Sequence, residues 1–98
     1  MIYKIEINNI VKEDILEISD SIYKKSFSKE ISKKYYNEIY SKIYSLKIFP
    51  YRYPEFNENY RVLTIDRKYK VFFKINEKKN SVIISRIFSS RQNYFDNF

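Results

Sequence analysis

The 98-residue sequence contains no cysteine, no histidine and no glycine. Without cysteine and histidine, the chain has no disulfide, thiol nucleophile or imidazole-based catalytic triad, and most kinds of zinc site are excluded. The absence of glycine excludes the P-loop and the dinucleotide-binding fingerprint, because both need backbone conformations that only glycine adopts readily. We therefore expect no cofactor and no metal.

Long apolar runs are also missing. No segment approaches the ~20 apolar residues of a membrane span, and the start, Met1-Ile2-Tyr3-Lys4, resembles a strand and not a signal peptide. The length allows one domain, residues 1–98, and 44% hydrophobic residues suffice for a core. We expect a cytoplasmic protein with no membrane partner.

Positive charge is concentrated in the second part of the chain. Residues 1–58 hold ten basic and nine acidic side chains, whereas residues 59–98 hold nine basic and three acidic ones, so +6 of the net charge of +7 lies there. Tyrosine and phenylalanine are interleaved with these cations, a composition typical of nucleic-acid surfaces. The alternatives are a solvated basic face and a surface for an acidic protein.

The first half of the sequence predicts one strand and two helices. Residues from Ile2 to Asn8 alternate between apolar and polar, as in a strand. From Ile10 the apolar period becomes helical, with two acids, Glu13 and Asp14, in the expected first turn, and this helix should fray near Lys24 and Lys25. Ser28 is a candidate N-cap for a second helix, which Phe49-Pro50 should end.

The second half predicts a loop over residues 51–59 followed by three strands, Tyr60 to Asp66, Tyr69 to Asn76, and Ser81 to Ser89. Asn80 stands where a turn needs a residue that tolerates positive φ. The order strand, helix, helix and three-stranded antiparallel meander predicts a small α+β domain with both helices on one face of the sheet.

Strict alternation assigns the strand side chains to faces. On the second meander strand the apolar side chains should meet the helices, and the other face should carry Lys70, Phe72 and Lys74. On the last strand alternation places four side chains on one face: Val82, Ile84, Arg86 and Phe88.

If the open face cuts RNA, the chemistry must proceed without histidine. Attack by a ribose 2′-hydroxyl needs a proton acceptor, a proton donor and cations for the developing charge. We assign Arg61 and Lys70 as phosphate clamps, Arg91 as the transition-state cation and Tyr94 as the acid or base; ordinary solvated or packing roles are the alternative for each. Four more cations are candidates for nucleic-acid contact: Arg67, Lys68, Lys74 and Arg86.

The order and spacing of several segments resemble the RelE/ParE family of toxins from type II toxin–antitoxin systems. The segments are Phe49-Pro50, Tyr60-Arg61-Val62-Leu63, the strand from Tyr69 to Ile75, and the run from Ser85 to Tyr94. The resemblance implies a bacterial toxin that is neutralised by a cognate antitoxin, whose toxin-wrapping segment is usually acidic.

The resemblance leaves two activities open. RelE-like members cleave mRNA on the ribosome with a cluster of Lys and Arg and a C-terminal Tyr. By this resemblance Arg61 and Lys70 fall at basic strand positions of that cluster, and Arg91 and Tyr94 lie near its C-terminal arginine and tyrosine. ParE-like members inhibit DNA gyrase instead. Leu63 replaces a lysine found in RelE-type enzymes, and the ending from Arg86 to Asn93 is closer to the ParE form. The first expectation is mRNA cleavage, with gyrase inhibition as its alternative. A third hypothesis is a binding module that keeps the fold and its antitoxin but lacks toxicity.

Overall fold

The computed structural model describes residues 2–89 and has the order of elements that the sequence predicts. Strand β1 (Lys4–Ile7) precedes two helices, α1 (Asn9–Ser26) and α2 (Lys29–Tyr44). Two short 3-10 turns, Ser45–Lys47 and Pro50–Arg52, lead into the remaining strands: β2 (Arg61–Ile65), β3 (Tyr69–Asn76) and β4 (Ser81–Ser89).

The four strands form one mixed sheet in the order β1-β4-β3-β2. The C-terminal strands form the predicted antiparallel meander, and β1 pairs in parallel with β4 from Lys4 opposite Ser81 to Ile7 opposite Ile84. Because β1 ends at that point, the last residues of β4 have α1 and not a strand beside their free edge.

Each helix begins with a side-chain cap. Asn8 accepts a hydrogen bond from the Val11 N–H, and Ser28 does the same for Ile31, as predicted for Ser28. The predicted first-turn role of two acids in α1 is wrong: the helix begins at Asn9, so Asp14 lies beyond the first turn, where its side chain is buried. The helix also continues to Ser26, slightly past the predicted fraying point.

The core lies between the helix pair and one face of the sheet. Ser19 and Ser32 are hydrogen-bonded through their hydroxyls at 2.7 Å and hold α1 close to α2. The predicted helix-facing side chains of β3 pack in or against this core. The fully buried members of the core are aliphatic or aromatic: Val11, Ile15, Ile39, Ile43, Leu46, Val71, Phe73, Val82 and Ile84.

A β-bulge corrects the predicted faces of β4. Phe73 pairs with Ile84 but Phe72 pairs with Arg86, so Ser85 is an extra residue. Val82 and Ile84 therefore face the core together with Ile87, whereas Arg86 and Phe88 lie on the other face. The prediction that all four alternating residues share one face is wrong, because alternation cannot reveal an inserted residue.

The face that the helices leave uncovered is closed in its centre by aromatic packing. Phe72 lies on this face and is fully buried, with Phe56 edge-on at 4.9 Å and Phe88 at 6.0 Å between ring centroids. Phe56 comes from the 53–60 connection, whose backbone pairs with the start of β2 through Glu55 and Arg61. The expected open surface around Phe72 is therefore smaller than predicted.

Candidate functional site

A groove lies between the helix pair and the far end of the sheet. It has a volume of about 800 Å³ and is bordered by the β2–β3 turn and the end of β4. Its floor is apolar and aromatic, with Ile18, Ile22, Tyr35 and Tyr69. Four cations also line it: Lys25, Arg67, Lys68 and Arg86.

Two acidic side chains, Asp14 and Glu17, also line the groove, and Asp14 binds Arg86. Its carboxylate accepts hydrogen bonds from Arg86 Nε at 3.0 Å and Arg86 Nη2 at 3.2 Å. It also accepts the backbone N–H of Ile87 at 3.1 Å, on the edge of β4 that β1 leaves free. Asp14 thus takes the place of a neighbouring strand at that edge and neutralises Arg86, a role that no local sequence pattern reveals.

The β2–β3 turn brings two predicted cations to the groove. Asp66 and Arg67 both have positive φ, at 50° and 59°, so the turn is tight although it has no glycine. Lys68 Nζ lies 5.5 Å from the centroid of the Tyr35 ring, a cation–π distance. Burial raises the pKa of the neighbouring Tyr69 phenol. Three of the four nucleic-acid candidates, Arg67, Lys68 and Arg86, therefore line one groove.

Arg61 lies elsewhere, at the start of β2. Its guanidinium donates to the Tyr53 carbonyl at 2.7 Å, forms an ion pair with Glu55 at 3.1 Å, and lies 5.0 Å from the Tyr51 ring centroid. Only 21% of its side chain is exposed. These contacts fix the 51–55 loop against the sheet.

Lys70 and Arg61 lie on opposite faces of the sheet. Arg61 pairs with Phe73, whose side chain is in the helix-facing core, whereas Lys70 pairs with Thr64 and donates to its hydroxyl at 3.0 Å. Lys74 shares the face of Lys70 and lies 4.7 Å from the Tyr60 ring centroid. The structure therefore does not bring the two predicted phosphate clamps together.

The other two predicted catalytic residues, Arg91 and Tyr94, lie outside the described residues. Within residues 2–89, no group of three or more acidic side chains is placed to hold a metal ion. In the same part of the chain no helix has the length and apolarity to span a membrane.

A separate polar cluster joins three parts of the opposite end of the molecule. The Tyr3 and Tyr51 phenols both donate to Oε1 of Glu77, Tyr3 at 2.8 Å. Those hydrogen bonds lower the pKa of Glu77, and the bond to the carboxylate raises the pKa of Tyr51 to about 12. The cluster fastens the β3–β4 turn to Tyr3, directly before β1, and to the 51–55 loop that Arg61 contacts.

Comparison with known proteins decides the family. The sequence model described as ParE toxin of type II toxin-antitoxin system, parDE, matches residues 5–94. The chain belongs to the ParE toxin family. This ParE-family chain is therefore the toxin of a type II toxin–antitoxin system, as the sequence resemblance implied. No curated protein matched the sequence.

Solved structures share the fold of this ParE-family toxin. A chain of the chromosomal ParDE system from P. aeruginosa superposes with a TM-score of 0.75 at 18% identity, covering 90% of this chain and 96% of that one. A chain of the RelBE2 toxin–antitoxin complex from Mycobacterium tuberculosis superposes with a TM-score of 0.68 at 12% identity, covering 91% and 99%. The predicted α+β toxin fold is confirmed.

Proposed function

We propose that this toxin arrests growth by inhibiting DNA gyrase, and that a cognate antitoxin with an acidic segment neutralises it. The observation that carries the proposal is the separation of Arg61 and Lys70 on opposite faces of the sheet. A nuclease that used both as phosphate clamps would need them at one phosphate. The match to the ParE family over residues 5–94 supports the same activity.

The groove is the surface that we assign to the target. Cations surround its apolar floor: Arg86 is bound to Asp14, and the exposed Lys25 and Lys68 can face an acidic partner. An apolar centre with a charged rim is the usual anatomy of a protein interface, and the charges mainly set specificity and association rate.

The test is inhibition of gyrase by the purified toxin, measured as loss of DNA supercoiling. The groove variant Lys68→Glu should weaken inhibition about tenfold or more, because it reverses a charge beside the apolar floor. Lys78→Glu is the matched control, since Lys78 is also an exposed lysine in a turn that borders β3 but lies at its other end. Wild-type toxin that leaves supercoiling intact would overturn the proposal.

Ribosome-dependent mRNA cleavage is the second candidate. It is favoured by the predicted cations Arg67, Lys68 and Arg86 in the groove, and by Arg91 and Tyr94, which follow β4 in the sequence. New mRNA ends on ribosomes treated with toxin, lost in Tyr94→Phe and Arg91→Ala but retained in Lys78→Glu, would establish this activity instead.

A further inference from the structure

An exposed apolar patch lies at the opposite end of the molecule from the groove. Ile2 forms an antiparallel bridge with Ile48, so their side chains are neighbours, and Phe49 and Tyr51 follow along the chain. Ile2, Ile48 and Phe49 are 72%, 64% and 62% exposed. We define these four residues, Ile2, Ile48, Phe49 and Tyr51, as the edge patch.

The backbone of Phe49 is strained, and its side chain contributes little to the core. Its φ of 47° and ψ of 62° place it in the left-handed region, where a side chain with a Cβ costs about 1 kcal/mol or more. Its ring is mostly outside the core. Asn80, at the same φ of 47°, shows that this chain uses asparagine at such a position. Unlike an isolated exposed ring, Phe49 continues the exposed apolar surface of Ile2 and Ile48, and such a contiguous surface is typical of a partner contact.

The surroundings of the edge patch are basic. Lys4 and Lys47 flank it on the two bridged segments, and Lys78 and Lys79 follow in the β3–β4 turn, all exposed. The acid in that turn, Glu77, is engaged by the phenols of Tyr3 and Tyr51. Like charge disfavours a second copy of this chain as the occupant, and a segment with apolar anchors and acidic flanks fits.

We propose that the edge patch anchors an acidic segment of the cognate antitoxin, at a surface distinct from the groove. The inference depends on the toxin–antitoxin pairing and not on gyrase being the target. Exposed apolar side chains supply the buried contact area, and the surrounding lysines select an acidic partner. The target and the antitoxin then use opposite ends of the molecule.

The test compares Phe49→Asn with Phe27→Asn in the full chain. Phe27 is the matched control, because it is also an exposed phenylalanine with left-handed backbone, at φ 54° and 83% exposure, but lies at the other end of α2. Asparagine tolerates that backbone, so neither variant should lose stability.

Affinity is measured by calorimetric titration with the purified antitoxin encoded beside the toxin. Phe49→Asn should weaken binding about tenfold or more, Phe27→Asn less than about twofold, and growth arrest without antitoxin should stay unchanged in both. Equal effects of the two changes, an unchanged affinity for Phe49→Asn, or no binding of the wild type would overturn the inference. Loss of growth arrest in Phe49→Asn with full antitoxin affinity would also overturn it, since the patch would then contact the target.

Discussion

Asp14 on α1 binds the guanidinium of Arg86 on β4 with two hydrogen bonds and accepts a third from the backbone N–H of Ile87. These two residues are 72 positions apart. Their contact supplies a hydrogen bond to the edge of β4 that β1 does not cover, and it fixes the position of β4 beside the groove. The ion pair is therefore part of the fold at the point where the candidate site begins.

Asp14→Asn should lower the free energy of unfolding by about 2–3 kcal/mol, somewhat less than breaking a fully buried pair because Arg86 is partly exposed. Asp20→Asn, which breaks the exposed pair with Lys24 on the same helix, should change stability by less than about 0.5 kcal/mol. Denaturant unfolding of both variants checks this. Equal free energies of unfolding for the Asp14→Asn and Asp20→Asn variants would contradict a structural role for Asp14.

The bulge at Ser85 predicts an unusual tolerance to deletion. Removing Ser85 should leave a regular β4 with Ile84 and Ile87 still facing the core, at a cost below about 2 kcal/mol. Removing Thr64 from β2 should move Ile65 to the wrong face and cost more than about 4 kcal/mol, which prevents folding. Circular dichroism and thermal unfolding distinguish the two. A folded Thr64 deletion, or an unfolded Ser85 deletion, would contradict the register described above.

Strand and helix order could be predicted from the sequence because apolar periodicity reports which side chains face the core. The bulge and the role of Asp14 could not, since both depend on contacts between residues distant in the chain. Arg61 illustrates the same limit for the site. A cation at a strand start is compatible with phosphate binding, but the carbonyl of Tyr53 and the carboxylate of Glu55 that engage it become visible only in the fold.

Phe27→Asn should stabilise the protein by about 0.5–1 kcal/mol, because Phe27 ends α1 at a φ of 54° that asparagine tolerates better. The backbone N–H of residue 27 keeps its bond to the Tyr23 carbonyl, so the helix end is retained. The measurement is the denaturant midpoint of unfolding. The converse variant is Asn80→Ala: Asn80 has a φ of 47°, which alanine tolerates poorly, so this change should destabilise the protein. A lower midpoint for Phe27→Asn would show that the ring contributes to folding.

The Tyr51 phenol should titrate near pH 12, because it donates to the Glu77 carboxylate. A raised pKa means that this contact stabilises the fold fully below pH 10, the ordinary value, and that its contribution is lost as the pH rises through about 12. The pKa of Glu77 is lowered, so its contribution is present above its ordinary range and is lost as the pH falls through the lowered value.

Ring-carbon NMR of Tyr51 in wild type and in Glu77→Gln checks this assignment. The amide carries no charge, so the pKa of Tyr51 should return toward 10.0 in the variant. Tyr69, whose pKa is raised by burial at the other end of the molecule, is the internal control, and its titration should be the same in both proteins. An unchanged Tyr51 titration would rule out the Glu77 contact as its cause.

Pulse-labelling of DNA and protein synthesis after induction of the toxin distinguishes gyrase inhibition from mRNA cleavage. Gyrase inhibition predicts that DNA synthesis falls first while translation continues, and that Lys70→Ala arrests growth as strongly as wild type. An early fall in protein synthesis, with new mRNA ends inside reading frames and loss of arrest in Lys70→Ala, would contradict it.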